Sequence, residues 1–397
     1  MVQALEGVRV LDFTVGQQGP FSTTMLADLG ADVIKVEEPL AGDFGRYYNV
    51  YEGKNAYFLQ HNRGKKAIAV DLKHPRGKEV ILKLVSTADV VVQNFRHGAM
   101  TRLGLSYADL SAINPRLIYA SASGFGPKGP WSARPALDLA VQGMAGVMSV
   151  TGNPGDPPTP AGIPIADQVG GMVLAYGVMV ALFHRERTGA GQEIDVSLFG
   201  TQLALQSFNI TASLFRGRNQ PRRSRTMASP FWTTYRCGDG RWIAVAMLQF
   251  ERSWPAMCAA IGRDDLIDDQ RFSTAVNCIR NGAELIAILD EIFATRPSED
   301  WLHTLGEFDL ICAPVNSYMD LASFPQALEN DYIVDYDHPT YGPIKMVGLP
   351  VSLSKTPGNP FHPAPGHGEH TDEVLKSLGY SPDEIQTMKD ELIIRRE

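Results

Sequence analysis

The sequence has few cysteines and no apolar run long enough to cross a membrane comfortably. Its four cysteines lie 20 or more residues apart. No CxxC pair therefore exists, which excludes zinc ribbons and redox dithiols, and a chain of 397 residues does not need disulfide bonds to fold. The longest apolar stretch, Val169 to Phe183, contains three glycines and is followed by charged residues. It predicts a buried helix rather than a membrane span.

An excess of positive charge and a secretory leader are also missing. The 36 lysines and arginines are outnumbered by 44 aspartates and glutamates, which gives a net charge of -8. This balance argues against nonspecific binding to nucleic acid or to an anionic membrane. We therefore expect no nucleic-acid or membrane partner. Because the N-terminal segment has no basic stretch followed by a long apolar one, we also expect a cytoplasmic protein.

Common catalytic motifs are absent or incomplete. The chain has no Walker A sequence and no GxSxG elbow. The turn from Thr14 to Pro20 follows the first predicted strand but does not match GxGxxG, although Glu37 stands where dinucleotide-binding folds place a ribose-binding acid. Nicotinamide binding is therefore only a secondary hypothesis. The cluster of His362, His367 and His370 lies in a loop-like stretch, and we expect no metal site there.

The first third of the chain alternates between strands and helices. Val8 to Phe13 and Asp32 to Glu37 are strand-like, and Pro20 opens a predicted helix over Phe21 to Leu29 that ends at Gly30. A strand, a helix and a strand within about 30 residues predict a parallel βαβ unit. Further strands are predicted at Ala67 to Val70, Ala88 to Val92, Leu117 to Ala122 and Gln192 to Leu198. Such short apolar strands indicate a doubly wound sheet.

The rest of the chain predicts a second, smaller domain. A Pro- and Gly-rich loop at Pro154 to Pro164 precedes a long helix over Ala166 to Thr188, and the basic stretch Arg216 to Arg225 indicates a linker. Two strands joined at Gly238 to Gly240, followed by three helices, then predict a small α+β domain. The predicted divisions are a large domain at 1–200, a linker at 201–225, a small domain at 226–325 and a return segment at 326–397.

Ten short motifs occur in a fixed order along nearly the whole chain. They are LEGVRVLDF at 5–13, LADLGADVIKVE at 26–37, GD at 42–43, NRGKKAIAVDLK at 62–73, NF at 94–95, RLG at 102–104, NPRLI at 114–118, GFGP at 124–127, RTGAGQ at 187–192 and GEHT at 368–371. Each motif alone is modest, but their order and spacing together resemble the class III CoA-transferases, also called the CaiB/BaiF family.

The resemblance implies a fold, an assembly and a class of substrate. The implied fold is α/β, with a Rossmann-like doubly wound large domain, a smaller α+β domain and two chains interlocked as a homodimer. The implied substrates are coenzyme A in the form of an acyl-CoA and a free carboxylic acid. No tightly bound cofactor is expected.

The resemblance also implies that Asp167 is a covalent nucleophile. The sequence places Asp167 just inside the predicted long helix, where the helix dipole stabilises negative charge, and Gly170 and Gly171 allow a close approach of backbone or ligand. A carboxylate can attack a thioester carbonyl and form a covalent intermediate. Gln17, on the loop after the first strand, matches a family glutamine and is a candidate donor to the oxyanion.

The residues that would bind CoA follow from the same resemblance. Basic side chains must meet the phosphates of CoA, and apolar surface must meet its adenine. The implied residues are Gln18, Val70, Asp71, Leu72, Lys73, Asn94, Phe95, Arg96, Arg102, Ala136, Leu137 and Asp138. The basic residue that family members often carry after the second strand is replaced here by Glu38, and Arg46 is the candidate to compensate for it.

Leu137 separates the reactions found within the family. Racemase members carry a histidine at this position, and leucine cannot accept a proton. The sequence therefore favours CoA transfer through an aspartyl-CoA thioester over an α-methylacyl-CoA racemase or epimerase. It also leaves open a non-catalytic acyl-CoA-binding protein and a nicotinamide-binding protein. The arginines between Arg216 and Arg225 could bind a second carboxylate of a dicarboxylic substrate, but a solvated basic linker is the preferred interpretation.

Overall fold

A computed structural model describes residues 2–395, which divide into two compact units. The first unit is drawn from the segments Met1–Val147, Pro160–Arg218 and Pro325–Glu397. The second is drawn from Met148–Thr159 and Asn219–Phe324. The chain thus leaves the first unit after Arg218 and returns to it at Pro325, which is close to the predicted start of the return segment.

The described chain contains helices and strands in the following order. The strands are β1 (Arg9–Asp12), β2 (Asp32–Glu37), β3 (Lys66–Ala69), β4 (Val90–Gln93), β5 (Ile118–Ser123), β6 (Glu193–Ser197), β7 (Trp232–Arg236), β8 (Trp242–Ala246), β9 (Cys312–Pro314), β10 (Ile333–His338) and β11 (Gly342–Val347). The α-helices are α1 (Gln18–Asp28), α2 (Ala56–Asn62), α3 (Pro75–Val85), α4 (Ala99–Leu103), α5 (Tyr107–Ser111), α6 (Asp138–Met144), α7 (Val147–Val150), α8 (Ile165–Thr188), α9 (Leu198–Leu205), α10 (Ser207–Arg216), α11 (Phe250–Ile261), α12 (Ala275–Arg280), α13 (Gly282–Phe293), α14 (Ser298–Glu307), α15 (Tyr318–Leu321), α16 (Pro325–Leu328), α17 (Thr371–Ser377) and α18 (Pro382–Asp390). Short 3-10 helices lie at Phe44–Arg46, Arg225–Met227 and Asp264–Leu266.

The first unit is built on one six-stranded sheet. Its strand order is β3-β2-β1-β4-β5-β6, and every neighbouring pair of strands is parallel. This is the Rossmann-like order, so the predicted doubly wound α/β fold is confirmed. The order reverses between β1 and β4, and a crevice is expected outside the carboxyl ends of these two strands.

Both faces of this sheet are buried, which explains why its strands are short apolar runs. Val10 of β1 belongs to a core that includes Leu174 of α8. The next residue, Leu11, points to the opposite face and belongs to a core that includes Ile81 of α3 and Leu375 of α17. The C-terminal helices therefore complete one layer of the first unit.

The predicted elements of the first unit are confirmed, with ends shifted by a few residues. β2 has its predicted bounds, and α8 begins at Ile165, one residue before the predicted start. α1 begins earlier than predicted, at Gln18, and Gly30 ends it with a φ of 103° that favours glycine. The sequence analysis missed the hairpin of β10 and β11 and several short helices, among them α2, α4 to α7, α16 and α17, because elements of four to seven residues carry little periodicity.

The predicted linker is wrong over its first part. Residues 201–216 are helical, in α9 and α10, and they belong to the first unit. Gln202 of α9 is fully buried, and its amide Nε2 donates to the backbone oxygen of Ile165 at 3.3 Å. α9 thus packs beside the start of α8, and the irregular stretch begins only after the glycine at 217.

The long helix α8 is buried on one face only, so the prediction of a buried helix is correct for half of its surface. By length and composition, α8 is the one helix of the described chain that could cross a membrane, with a mean hydropathy of 1.6. Gly170, Leu174 and Val178 are buried on its inner face. Large apolar side chains are exposed on its outer face at Met172, Tyr176, Met179, Val180 and Phe183. Their spacing of one, three or four residues forms a single apolar stripe.

The second unit has its own antiparallel sheet and its own core. β8 pairs with β7 on one side and with β9 on the other, as a three-stranded antiparallel sheet. The helices α11 to α15 lie in the same unit. Tyr235, Trp254 and Phe293 are buried together in its core. The predicted smaller α+β domain is thereby confirmed as a fold.

Candidate active site

The loops after β1 and β4 are joined where the strand order reverses. The Oδ1 atom of Asn94 accepts a hydrogen bond from the backbone N–H of Val15 at 2.9 Å, and its Nδ2 atom donates to the backbone oxygen of Val15 at 2.7 Å. The side chain of Asn94 thus closes these two loops against each other, and its predicted contact with CoA stays a prediction. Gln17 and Phe95 therefore lie on adjacent loops at the expected edge of the sheet.

The two glutamines before α1 have different environments. Gln17 is half-buried, precedes the first helical residue and makes no capping hydrogen bond with its side chain. Gln18 is buried, and its Nε2 atom donates to the backbone oxygen of Val196 on β6 at 3.1 Å. The amide of Gln18 is thus committed to packing, and its contact with CoA stays a prediction. Within residues 2–395, the backbone N–H groups of Gln18 and Gly19 have no hydrogen-bond partner.

Two glycines allow α8 to pack directly against α1. A Cβ on Gly171 would lie 2.8 Å from the backbone oxygen of Gln18 and 2.9 Å from Cδ1 of Phe21. A Cβ on Gly170 would lie 2.9 Å from Nε2 of Gln18. The expectation that this glycine pair permits a close backbone approach is confirmed. The contact places the first turn of α8, with Asp167, beside the beginning of α1.

Asp167 has a mostly buried carboxyl group without a partner. Its side chain accepts no hydrogen bond and forms no ion pair with any residue from 2 to 395. Burial, together with the negative charge of Asp138, raises the pKa of Asp167 from 3.8 to about 7. Buried carboxyl groups are normally paired, so an unpaired one with a raised pKa indicates a functional site.

The other buried carboxylates near this edge of the sheet are paired with cations. Lys35 and Asp43 are fully buried and 2.8 Å apart, and so are Lys65 and Asp12, at 2.9 Å. Burial alone would raise the pKa of Asp12, but the charges of Lys65 and Lys35 outweigh it and lower that pKa to about 2. Asp43 also accepts a hydrogen bond from the N–H of Gly16 at 3.3 Å. These pairs therefore hold the loop that carries Gln17.

A tyrosine and a histidine of α2 lie next to Asp167, and the sequence analysis missed both. Burial and the nearby charges of Asp43 and Asp167 raise the pKa of Tyr57. The Nδ1 atom of His61 lies 2.7 Å from the backbone oxygen of Tyr57, so it carries the proton. The bare Nε2 then accepts from the amide of Gln168 at 3.2 Å. Burial lowers the pKa of His61 to about 4, so this side chain is neutral at pH 7.

Arg46, the candidate to replace the basic contact missing at Glu38, is already paired within the chain. Its guanidinium donates twice to the carboxylate of Glu37, at 2.8 and 2.6 Å, and once to the backbone oxygen of Pro365 at 2.9 Å. The group also stacks on Phe58 at 4.1 Å. Arg46 is therefore neutralised by Glu37, the residue that nicotinamide-binding folds would use for a ribose.

The basic residues of the predicted CoA-binding set lie at the surface, and of these Arg102 was predicted to meet a phosphate. Lys73, Arg96 and Arg102 are exposed, and none of them forms an ion pair within residues 2–395. They stand on the loops after β3 and β4 and on α4. Each of these exposed cations lacks a carboxylate partner within residues 2–395 and is therefore available to a polyanion.

The apolar residues of the same predicted set have mixed environments. Val70 is buried, and its backbone bridges to Ile394 near the C-terminus. Leu72 and Phe95 are partly buried and pack against the core of the sheet. Asp71 accepts a hydrogen bond from the backbone N–H of Lys73 at 2.9 Å, which shapes the turn. Whether these residues contact an adenosine stays a prediction.

The three predicted residues before and within α6 differ in exposure. Ala136 packs closely against Gly124, where a Cβ would lie 2.4 Å from the methyl carbon of Ala136. Leu137 is 80% exposed, and Asp138 begins α6. The Oδ2 atom of Asp138 accepts hydrogen bonds from the backbone N–H groups of Ala166 and Asp167 at 2.7 and 3.2 Å. Asp138 thus contacts the first turn of α8, which carries Asp167, while its contact with CoA stays a prediction.

The predicted solvated basic linker is wrong for two of its arginines. Arg222 donates to backbone oxygens of the 148–157 stretch, including those of Met148 at 2.6 Å and Asp156 at 2.5 Å. Arg225 forms an ion pair with Asp290 within the second unit. Both guanidinium groups are already used to hold the second unit together, which leaves them less suited to bind a substrate carboxylate.

The C-terminal histidines make contacts of their own. His367 donates from Nε2 to the backbone oxygen of Glu38 at 2.8 Å, and His362 contacts Asn359 at 3.1 Å. Among residues 2–395, no group of three His, Cys, Asp or Glu side chains is placed to hold a metal ion.

Comparison with known proteins places these features in a wider group. The sequence profile of CoA-transferase family III matches residues 5–371. The chain is 36% identical over 383 residues to succinyl-CoA:glutarate CoA-transferase of Mus musculus, covering 95% of this chain and 87% of that protein. It is 32% identical over 421 residues to formyl-CoA:oxalate CoA-transferase of Rhodopseudomonas palustris, covering 98% and 97%. The crystal structure of a CaiB/BaiF family protein from Brucella suis superposes with a TM-score of 0.85 at 31% identity, covering 95% of this chain and all of that one.

Proposed function

Because the chain belongs to CoA-transferase family III, we propose that it moves CoA from an acyl-CoA donor to a free carboxylic acid through a covalent intermediate on Asp167. The observation that supports this most is the carboxyl group of Asp167, which is mostly buried and has no partner within residues 2–395. A carboxylate without hydrogen bonds or ion pairs keeps its lone pairs free to attack a carbonyl carbon.

The first half of the proposed reaction loads CoA onto the enzyme. The ionised carboxylate of Asp167 attacks the thioester carbonyl of the donor, and the C–S bond breaks to give a mixed anhydride and CoA thiolate. The thiolate then attacks the aspartyl carbonyl and expels the donor's acyl group as a free carboxylate. Asp167 is left as an aspartyl-CoA thioester, and no oxidant, reductant or metal is consumed.

The second half repeats these steps with the acceptor acid. The acceptor carboxylate attacks the aspartyl thioester and forms a new anhydride with release of CoA thiolate. The thiolate attacks the acceptor's acyl carbon, which yields the new acyl-CoA and regenerates the carboxylate of Asp167. Both anhydrides and thioesters hydrolyse, so the partly buried position of Asp167 favours transfer over loss to water.

The start of α1 supplies donors for the oxyanions of these steps. The backbone N–H groups of Gln18 and Gly19 have no partner within residues 2–395, and they belong to the helix end that carries positive partial charge. Gln17 can add its side-chain amide, because that amide makes no capping bond. The close packing of α1 on α8 keeps these donors near Asp167.

The absence of a proton acceptor at position 137 supports transfer over racemisation. Leu137 has no ionisable group, although its side chain is exposed beside the start of α6. The engagement of Glu37 by Arg46 gives nicotinamide binding no support. Lys73, Arg96 and Arg102 provide charge for the phosphates of CoA.

We also propose that the active form is a homodimer in which a second copy covers the exposed stripe of α8. Five large apolar side chains lie along this stripe, from Met172 to Phe183. An apolar face of this length is typical of a surface that is buried in an assembly. A second copy is the proposed occupant because the resemblance to the family implies two interlocked chains.

A transfer assay with an Asp167→Ala variant tests the proposed reaction. Purified protein is incubated with acyl-CoA donors of different acyl groups and with mono- and dicarboxylic acceptors, and each thioester is followed by chromatography. We expect wild-type protein to exchange CoA for at least one pair, and the variant to lose activity about a thousandfold or more. Asp268→Ala, at an exposed position of the second unit, is the matched control. Retention of wild-type activity by Asp167→Ala would contradict the proposal.

A further inference from the structure

Asp138 caps the helix that carries Asp167, although it lies 29 positions earlier in the chain. The residue before α8 is Pro164, which has no side chain that could accept a hydrogen bond. The Oδ2 atom of Asp138 takes this role by accepting from the N–H groups of Ala166 and Asp167, at 2.7 and 3.2 Å. A carboxylate at this end of a helix is favourable because it satisfies free donors and opposes the positive end of the helix dipole.

Gln142 fixes Asp138 and the segment ahead of α8 at the same time. One helical turn after Asp138, it is buried, and its Nε2 atom donates to Oδ1 of Asp138 at 2.5 Å and to the backbone oxygen of Ile163 at 3.1 Å. Its Oε1 atom accepts from the N–H of Ala161 at 2.9 Å. Two residues of α6 therefore hold the backbone from Ala161 to Asp167.

The charges around Asp167 are unbalanced. Asp138 on α6 is the anion that bears on it, and the phenol of Tyr57 on α2 is the other titratable group nearby. His61 on α2 is neutral and contacts the adjacent Gln168. On β6, which also packs on α8, Asp195 is committed to a hydrogen bond from Ser123 at 2.8 Å. α9 has no titratable residue, and the only one in α1 is Asp28, which is its last residue.

Building on the proposed function, we propose that Asp138 is a positioning residue for the nucleophile, which holds the backbone of Asp167 and places a fixed negative charge beside its carboxyl group. The charge of Asp167 exists only in the free enzyme. When the carboxylate becomes an acyl anhydride or a CoA thioester, its negative charge leaves with the released carboxylate or thiolate, and the repulsion from Asp138 disappears.

The fixed charge therefore favours the covalent intermediate over the ionised resting state. This is ground-state destabilisation by a specific neighbour, and it acts on every neutral form of Asp167 alike. Removing the charge should stabilise the ionised carboxylate relative to both its protonated form and its thioester. If the titration midpoint of Asp167 falls by about one pH unit, the ratio of thioester to free enzyme should fall by about tenfold at a pH above both midpoints, because the resting carboxyl is then ionised and one pKa unit is a tenfold change in the equilibrium.

The test compares Asp138→Asn, Asp138→Ala and Glu384→Gln with the wild type. Asparagine keeps an oxygen for the N–H groups of α8 but loses the charge, whereas alanine loses both. Glu384 belongs to the capping box at the start of α18, so its change is the control for loss of a capping carboxylate elsewhere. The first readout is the pH dependence of carbodiimide labelling at Asp167, followed by peptide mass spectrometry, which does not depend on turnover. The second is the fraction of Asp167 present as CoA thioester at equilibrium with an acyl-CoA and its free acid.

We expect Asp138→Asn to lower the labelling midpoint by about one pH unit and the thioester ratio by about tenfold, with no change for Glu384→Gln. Asp138→Ala should show the same shifts together with a lower Tm. An unchanged midpoint in Asp138→Asn overturns the inference and leaves CoA transfer standing. If Asp138→Asn shifts the midpoint but the wild-type protein never forms the thioester, the proposed function is contradicted, while the coupling between the two aspartates stands.

Discussion

Replacing Asp167 with asparagine is expected to stabilise the protein at neutral and alkaline pH. Burial and the charge of Asp138 raise the pKa of Asp167 from 3.8 to about 7. Since the folded chain holds this proton more tightly than the unfolded chain, stability is lost as the pH rises from about 4 through about 7. A shift of about three pKa units corresponds to about 4 kcal/mol. The side chain is partly exposed, so solvent screening reduces the expected cost to about 2 kcal/mol.

Asparagine has nearly the same shape as aspartate and carries no charge, so it removes this cost. The gain in stability should be nearly absent at about pH 4 and complete above about pH 7, which makes the gain at pH 5 less than half of that at pH 8. The measurement is the difference in Tm between variant and wild type at both pH values, and an increase of a few degrees is expected at pH 8. Asp268→Asn removes an exposed carboxylate and is the control. A difference that does not depend on pH, or a less stable variant at pH 8, would refute the reasoning.

Two further predictions concern CoA binding and assembly. Arg102→Gln is expected to raise the KM for acyl-CoA about three- to tenfold with little change in kcat, because the exposed guanidinium has no carboxylate partner within residues 2–395. Steady-state kinetics at two salt concentrations check this, with Arg252→Gln in the second unit as control, and an unchanged KM would count against a phosphate contact. Tyr176→Glu places a charge on the exposed stripe of α8 and should shift the protein from dimer to monomer in sedimentation velocity. A wild-type protein that sediments as a monomer would contradict the proposed homodimer.

The sheet of the first unit was predictable because its strands are buried on both faces. Val33, Ile34 and Val36 form an apolar run that only a doubly covered strand tolerates, and the predicted bounds of β2 are the observed ones. Lys35 interrupts this run, and nothing in the sequence indicates that its side chain is buried. Its ammonium group is fully buried because Asp43, eight residues later, returns to pair with it.

Asp167 was identified through the resemblance and its place at the start of a long helix, but its environment was not predictable. The cap from Asp138 and the contact between Gln168 and His61 join residues that are 29 and 107 positions apart. No local pattern encodes such contacts, since they depend on how α6 and α2 pack against α8. Tyr57 and His61 were missed for the same reason, because α2 has only seven residues and a weak periodicity.

The corrections have physical causes that lie outside local sequence. Arg46 was a candidate for CoA binding because its charge was the only visible property, and the structure pairs that charge with Glu37. The stretch at 201–216 was assigned to a linker, whereas it is helical in α9 and α10, and α9 packs beside α8. The face of α8 that remains exposed shows why an apolar segment alone does not determine burial.

The central claim is that the carboxyl group of Asp167 becomes covalently attached to CoA. Protein incubated with a donor acyl-CoA in the absence of acceptor is quenched, digested and analysed by mass spectrometry, with hydroxylamine added to a parallel sample. The account predicts a CoA adduct on the peptide that contains Asp167, which hydroxylamine converts to a hydroxamate at that residue. An unmodified Asp167 in a protein that nevertheless transfers CoA, or an adduct on a different side chain, would contradict it.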